Sequence, residues 1–325
     1  MAKEAHHHHY IPQCYLRGFA KGSGKHCRIT VANLKSQQFF ETNPRNVGGI
    51  RDFNRVQMEG FKPDALEGML SGFEGQVATA IRNVAASSKF EGDDRIAILN
   101  LIALLAVRSP QQRENWRQFE EKIMKQILGL SLASKERWEG QMQEMEKAGK
   151  GIKNPLPYEE MKAFYEKDEY NIKLDTEHHV ALEFKGFDAV LPFLVERKWK
   201  VYTTTEEQGL FITSDRPVVL TWNHPEQIPV MMRQSPGFGM QDTELLFPLT
   251  RDTLLLGAFE GENGCVAAST PFVATANLKT IQHAFEQVYS LRKVFPYVGP
   301  DLQFHHDQHF MERFEAHQRS SKKEE

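Results

Sequence analysis

Apolar residues along this chain follow two periods, and the chain changes character where one gives way to the other. Near the start, Cys27-Arg28-Ile29-Thr30-Val31 and Gln38-Phe39-Phe40-Glu41 are short β-type runs and predict a hairpin. Asn43-Pro44-Arg45-Asn46-Val47-Gly48-Gly49 reads as loop. From Pro63 the spacing turns helical: Leu66, Leu70, Phe73, Val77, Ile81 and Val84 share a stripe, with Asp64 as the expected cap. Gly68, Gly72 and Gly75 interrupt it, each at about 1 kcal/mol against alanine. Close packing of another backbone is the expected reason for them.

A second helix over 93–108 is apolar nearly all round, which implies burial on several sides, and Ser109-Pro110 stops or kinks it. The charged stretch 111–148 is helix-forming with a sparse apolar stripe. Gly129 and Gly140 divide it, and Gly149-Lys150-Gly151 ends it. Further helices are expected at 158–165 and 177–197, the latter interrupted at Gly186 and Pro192. Strand-like runs follow at 200–204, 210–213, 218–221, 245–249 and 253–257, close enough together to favour antiparallel pairing. A final helix is expected at 276–291, before a charged tail at 320–325. The fold class is α+β: a short N-terminal hairpin, a helical middle and a C-terminal antiparallel sheet. The expected organisation is one compact domain, with a motif and hairpin to 62, helices over 63–197, sheet and final helix over 198–298, and a tail over 299–325.

Composition narrows the classes. With 325 residues, 40% hydrophobic and 26% charged, the chain is that of a folded protein. A net charge of -3 gives no global reason for nucleic acid, although a local basic patch escapes that count. Cys14, Cys27 and Cys265 form no CxxC pair and read as free thiols. The start is polar and histidine-rich, unlike a signal peptide, and the longest apolar run, 96–107, falls short of the roughly 20 residues of a bilayer span. The expectation is a cytoplasmic protein with no membrane partner.

Several groups carry candidate chemistry. His6 to His9 run without a linker into Tyr10-Ile11-Pro12, so His8 and His9 are read as native instead of as a tag. Neutral imidazole with carboxylate is an ordinary ligand set for a divalent ion. Adjacent side chains in extended chain point opposite ways, so one of the pair would ligate and the other support. Glu67 and Glu74, seven residues apart, fall about 20° from each other on one helix and flank its apolar stripe. Half-buried there, they need a cation, a donor or a metal; the plainer account is a salt bridge at a solvated edge. Asp215, in Thr213-Ser214-Asp215-Arg216-Pro217, is either a turn residue or a ligand or base at a strand end. Arg108 closes the buried helix, where the dipole favours a cation; with Arg113 it could grip an anion. Of His305, His306 and His309, an i, i+4 pair would share a helix face, though in this charged region solvated histidine is the better account, as it is for His178-His179. There is no GxxxxGK[ST], HExxH or GxSxG.

The opening His8-His9-Tyr10-Ile11-Pro12-Gln13-x-Tyr15-Leu16-Arg17-x-Phe19 resembles the start of a widespread bacterial family catalogued as domain of unknown function 4238. Asn43 to Val47 with Asp52-Phe53 is similar to its second block, Leu66-Glu67 with Phe73-Glu74 to its paired-glutamate helix, and Phe211 to Val218 to its strand-turn-strand block. Asn277 through Ala284 to Tyr289-Ser290 fits its last block. The chain departs at Asn54, where an aromatic is more typical, and at Arg216, where asparagine is more usual. No activity comes with the resemblance. It implies that His8 and His9 are native, and that Glu67, Glu74 and Asp215 belong to one polar site.

Two functions are consistent with these readings. The first is a metal-dependent hydrolase acting on an anionic, phosphodiester-like substrate. His8 or His9, with Glu67 and Glu74, would hold a divalent metal ion that activates water; Asp215 would be a further ligand or base, and Arg108 would orient the substrate. The second is a non-catalytic binding or protein-interaction module. In it the same residues form a polar network that fixes the N-terminal segment, and contacts run through the charged helices near Arg117 to Glu146.

Overall fold

The computed structural model describes residues 7–56, 65–152, 154–233 and 236–316; the expectations at Pro63, Asp64, His6 and the 320–325 tail fall outside them. The elements begin with β1 (His7–His9), α1 (Gln13–Leu16), β2 (Ile29–Asn33), β3 (Gln38–Thr42) and β4 (Gly49–Arg51). Helices α2 (Ala65–Ser87), α3 (Gly92–Val107), α4 (Pro110–Ser131), α5 (Lys135–Lys147), α6 (Tyr158–Lys167) and α7 (Thr176–Glu196) follow. Then come β5 (Lys198–Thr203), β6 (Thr213–Ser214), β7 (Val219–Trp222), β8 (Thr243–Thr250), β9 (Thr253–Ala258) and β10 (Gly264–Ala267). The last are α8 (Thr270–His283), β11 (Gln287–Ser290), β12 (Phe295–Val298) and β13 (Phe304–Asp307). The class is α+β, and among the described residues no helix is long and apolar enough to cross a membrane.

The chain forms two compact units. One takes the sequence up to Ser109 and from Thr176 onward; the other is Pro110–Asp175. In the larger unit, one sheet runs β10-β5-β9-β8-β7 and a second runs β3-β2-β11-β6. All neighbours pair antiparallel except β10 with β5, which is parallel. The expected hairpin is the β2–β3 pair, Ile29 opposite Thr42. Helix α3 is buried because α2 packs on one side of it and α7 on another, as its all-round apolar surface requires.

The N-terminal segment is pinned from two sides. Strand β1 pairs antiparallel with β4, His8 opposite Ile50. Gly49 pairs with His9, and a Cβ there would lie 2.5 Å from His7 Nε2, so a larger residue would have to displace that exposed ring. Pro12 then turns the chain into α1, which buries Tyr15 and Leu16. The Tyr15 hydroxyl donates to the Pro248 carbonyl at 2.7 Å, so the Thr213 hydroxyl, 2.6 Å away, must donate to it. These bonds tie α1 to both sheets.

Four expectations change. Helix α8 stops at His283 and the chain becomes strand β11, not helix to 291. The Asp215 carboxylate takes the N–H groups of Phe285, Glu286 and Gln287, which draws the backbone off the helical path into the slot between β2 and β6. The charged stretch divides at Leu132 to Ser134, not at its glycines. Ser134 Oγ caps α5 by accepting from Arg137 N at 3.3 Å, a contribution of about 1 kcal/mol. Helix α7 runs unbroken through Gly186 and Pro192. Finally, a Cβ added at Gly68, Gly72 or Gly75 meets nothing within 4 Å among the described residues, so no close backbone explains them.

In the smaller unit, Arg117 bridges Glu114 and Glu121 at 2.8 and 2.7 Å, Lys125 pairs with Asp168 at 2.6 Å, and Leu132 and Trp138 are its buried apolar residues.

Candidate functional site

The polar cluster of the larger unit is organised around a residue whose side chain has two opposite faces. Asn54 is fully buried after β4. Its amide nitrogen donates to Glu67 Oε2 at 2.7 Å, and its carbonyl oxygen accepts from Arg108 Nη2 at 2.5 Å. Its backbone N–H donates to His8 Nδ1 at 2.8 Å. Arg108, at the C-terminal cap of α3 and 3% exposed, also donates to the His9 carbonyl at 3.3 Å, lies over the Phe53 ring at 5.6 Å and has Nε 3.9 Å from Glu183 Oε2. One guanidinium thus joins β1, the turn after β4, α3 and α7.

His8 Nδ1 is the acceptor nitrogen of its ring. His9 places Nε2 3.1 Å from the Arg45 carbonyl, and burial is the main cause holding its pKa below the usual imidazole value. Glu67 and Glu74 share a face of α2, as their spacing predicts. Burial first, and the Glu67 charge second, raise the Glu74 carboxyl above the usual range, against Arg108 and Arg17. Among the described residues the Glu74 carboxylate has no hydrogen bond. Burial, then the Glu74 charge, pushes the Cys14 thiol up to about 12, which favours its protonated form.

Asp215 makes its hydrogen bonds to a different part of the chain. Its Oδ1 accepts from Phe285 N at 2.8 Å, and its Oδ2 accepts from Glu286 N and Gln287 N at 2.7 and 3.0 Å. Burial raises its carboxyl despite these bonds. No described hydrogen bond joins it to Arg108, Glu67 or Glu74. The C-terminal histidines do not share a helix face: His305 and His306 lie on β13, paired with β12, and His305 and His309 each face a nearby carboxylate, Asp301 and Glu312. Among the described residues, no group of three His, Cys, Asp or Glu side chains is placed to hold a metal ion.

Beside the cluster lies a cavity of about 310 Å³ between α2, α3 and α7. Its walls are apolar, with Leu70, Phe73, Leu104 and Phe187 among them, while Arg108 and Glu183 supply its buried polar groups. Met69 and Phe184, which also line it, are 69% and 51% exposed, so it opens toward solvent. Sequence reading marked Asn54 only as a departure from the family pattern and missed its place in the cluster, and it missed Glu183, a lone acid in a helix whose burial depends on α3.

These features define an α+β protein in which a buried polar cluster holds an N-terminal strand against a helical cavity. Residues 7–294 match the family model described as a protein of unknown function (DUF4238), and the chain belongs to that family. His8, His9 and every residue of the cluster lie inside that span, whereas β12 and β13 lie beyond it. No curated protein matches the chain, and no solved structure does.

Proposed function

We propose that this protein is a binding module for a small, largely apolar molecule, seated in the cavity between α2, α3 and α7. The observation that carries the reading is the double position of Arg108, which lines the cavity and also holds Asn54 and the His9 carbonyl. A concave, apolar site with a few fixed polar groups is the usual form of a ligand pocket. Each buried methylene of the ligand contributes about 0.8 kcal/mol. The polar head meets Arg108 and Glu183, so occupancy is felt by the N-terminal strand that Arg108 grips. Titration with the neutral probe N-phenyl-1-naphthylamine tests this. Saturable fluorescence enhancement is expected, and Leu70→Trp, which fills the cavity, should abolish it while unfolding stays cooperative. Unchanged binding by that variant sinks the reading.

A second reading, favoured by the raised pKa of Glu74 and by the lack of a side-chain hydrogen bond to it among the described residues, keeps hydrolytic chemistry at Glu67 and Glu74 on an anionic substrate. Its metal-dependent form has these carboxylates and His9 close on a divalent ion, with Arg108 orienting the substrate. The described side chains form no ready ligand group, and the three backbone N–H groups that donate to the Asp215 carboxylate weigh against a base there. Equilibrium dialysis against Mn²⁺ and Zn²⁺ decides it: near-stoichiometric uptake lost in Glu67→Gln supports this reading, and no uptake removes its metal-dependent form.

A further inference from the structure

Helix α4 of the smaller unit carries an apolar stripe that nothing among the described residues covers. Phe119, Ile123, Ile127 and Leu130 are 62%, 38%, 52% and 65% exposed. At 100° per residue they fall within about 80° of one another. The ion pairs of Arg117 with Glu114 and Glu121, and of Lys125 with Asp168, occupy the other side of the helix. We propose that this stripe docks against the same stripe of a second copy of the chain, as an antiparallel pair of α4 helices. The proposal is independent of the cavity reading.

Three observations favour a second copy over other occupants. The spacing of the stripe is close to a mirror image about Lys125. In an antiparallel pair Phe119 therefore falls opposite Leu130 of the second copy, and Ile123 opposite its Ile127, the self-complementarity that a two-fold contact requires. Area is the second. At roughly 200 Å² for a large side chain, the stripe offers on the order of 400 Å² per copy, about half of what each partner gives to a standard interface, an area that fits a weak, concentration-dependent pair. The exposed Asn115, Lys122 and Gln126 beside it supply a polar rim. Charge is the third: α4 sets Arg113, Arg117, Lys122 and Lys125 against Glu114, Glu120 and Glu121. That near balance does not suit an anionic lipid surface, which selects helices rich in Lys and Arg.

Sedimentation velocity of the full chain over a wide concentration range tests the proposal. Concentration-dependent dimers are expected, with at least tenfold weaker association in Ile123→Glu/Ile127→Glu and an unchanged far-UV circular dichroism spectrum. Phe119→Lys and Leu130→Glu should each abolish dimers alone, and the variant carrying both should regain them through cross-pairing. A wild-type monomer at every concentration overturns the proposal. So do undiminished dimers in the Ile123/Ile127 variant, and lack of rescue overturns the antiparallel register. Vesicle binding through the same residues in place of self-association also overturns it.

Discussion

Arg108 and Asn54 share a 2.5 Å hydrogen bond in the interior, formed between a helix cap and a loop that lie 54 residues apart in sequence. The bond matters because Asn54 spends its other side-chain group on Glu67, so the amide separates a cation from an anion while satisfying both. Removing it leaves two charges short of partners in a site where water is scarce.

Asn54→Ala is therefore expected to destabilise the protein by about 2–4 kcal/mol, the range for stranding buried charged hydrogen-bonding groups. Equilibrium urea unfolding measures it. A loss below about 1 kcal/mol would show that the cluster rearranges at little cost.

The Asp215 clamp makes a local prediction. In Asp215→Asn only one side-chain oxygen remains to accept, and an NH2 group faces amides that also donate. Hydrogen exchange at Phe285, Glu286 and Gln287 should accelerate well beyond that of β8 and β9. Uniform protection across the chain would mean that β11 needs no clamp.

Glu74 predicts a pH dependence whose sign follows from its raised pKa. In the unfolded chain the carboxyl ionises near 4.5, and in the folded protein it ionises higher. The folded state thus disfavours the charge, and stability is lost as pH rises from that value through the folded one. Glu74→Gln should be more stable than wild type at pH 7, and the difference should vanish below about pH 4. Melting curves across this window decide it; a less stable Gln variant at pH 7 would mean that the carboxylate has a stabilising partner.

Among the described residues the space beside Gly68, Gly72 and Gly75 is open, which gives the opposite expectation from a packed helix contact. Each Gly→Ala change should stabilise α2 by about 0.5–1 kcal/mol, from helix propensity alone. Thermal unfolding of the triple variant tests it. Destabilisation would reveal a close neighbour on that face.

Some of this protein is written locally. The stripes of α2 and α3 were legible because a helix bonds within itself, so the spacing of Leu70, Phe73, Val77 and Ile81 is already a statement about which face is buried. The β2–β3 hairpin was legible because its partners are neighbours in sequence. The likeness of Glu67 and Glu74 in direction also follows from helical period alone.

Other features exist only through distant contacts. The 276–291 segment is amphipathic enough to be helical throughout, yet 287–290 becomes strand because Asp215, about 70 residues earlier, captures its leading amides. Asn54 shows in the sequence only as a departure from the family pattern; it becomes central when β1, α2 and α3 converge on it. The sequence by itself determined the local periods, and with them the helices and the first hairpin. Tertiary structure decided which polar atoms meet, because a buried hydrogen bond depends on angstrom-scale placement by elements that one-dimensional spacing does not relate.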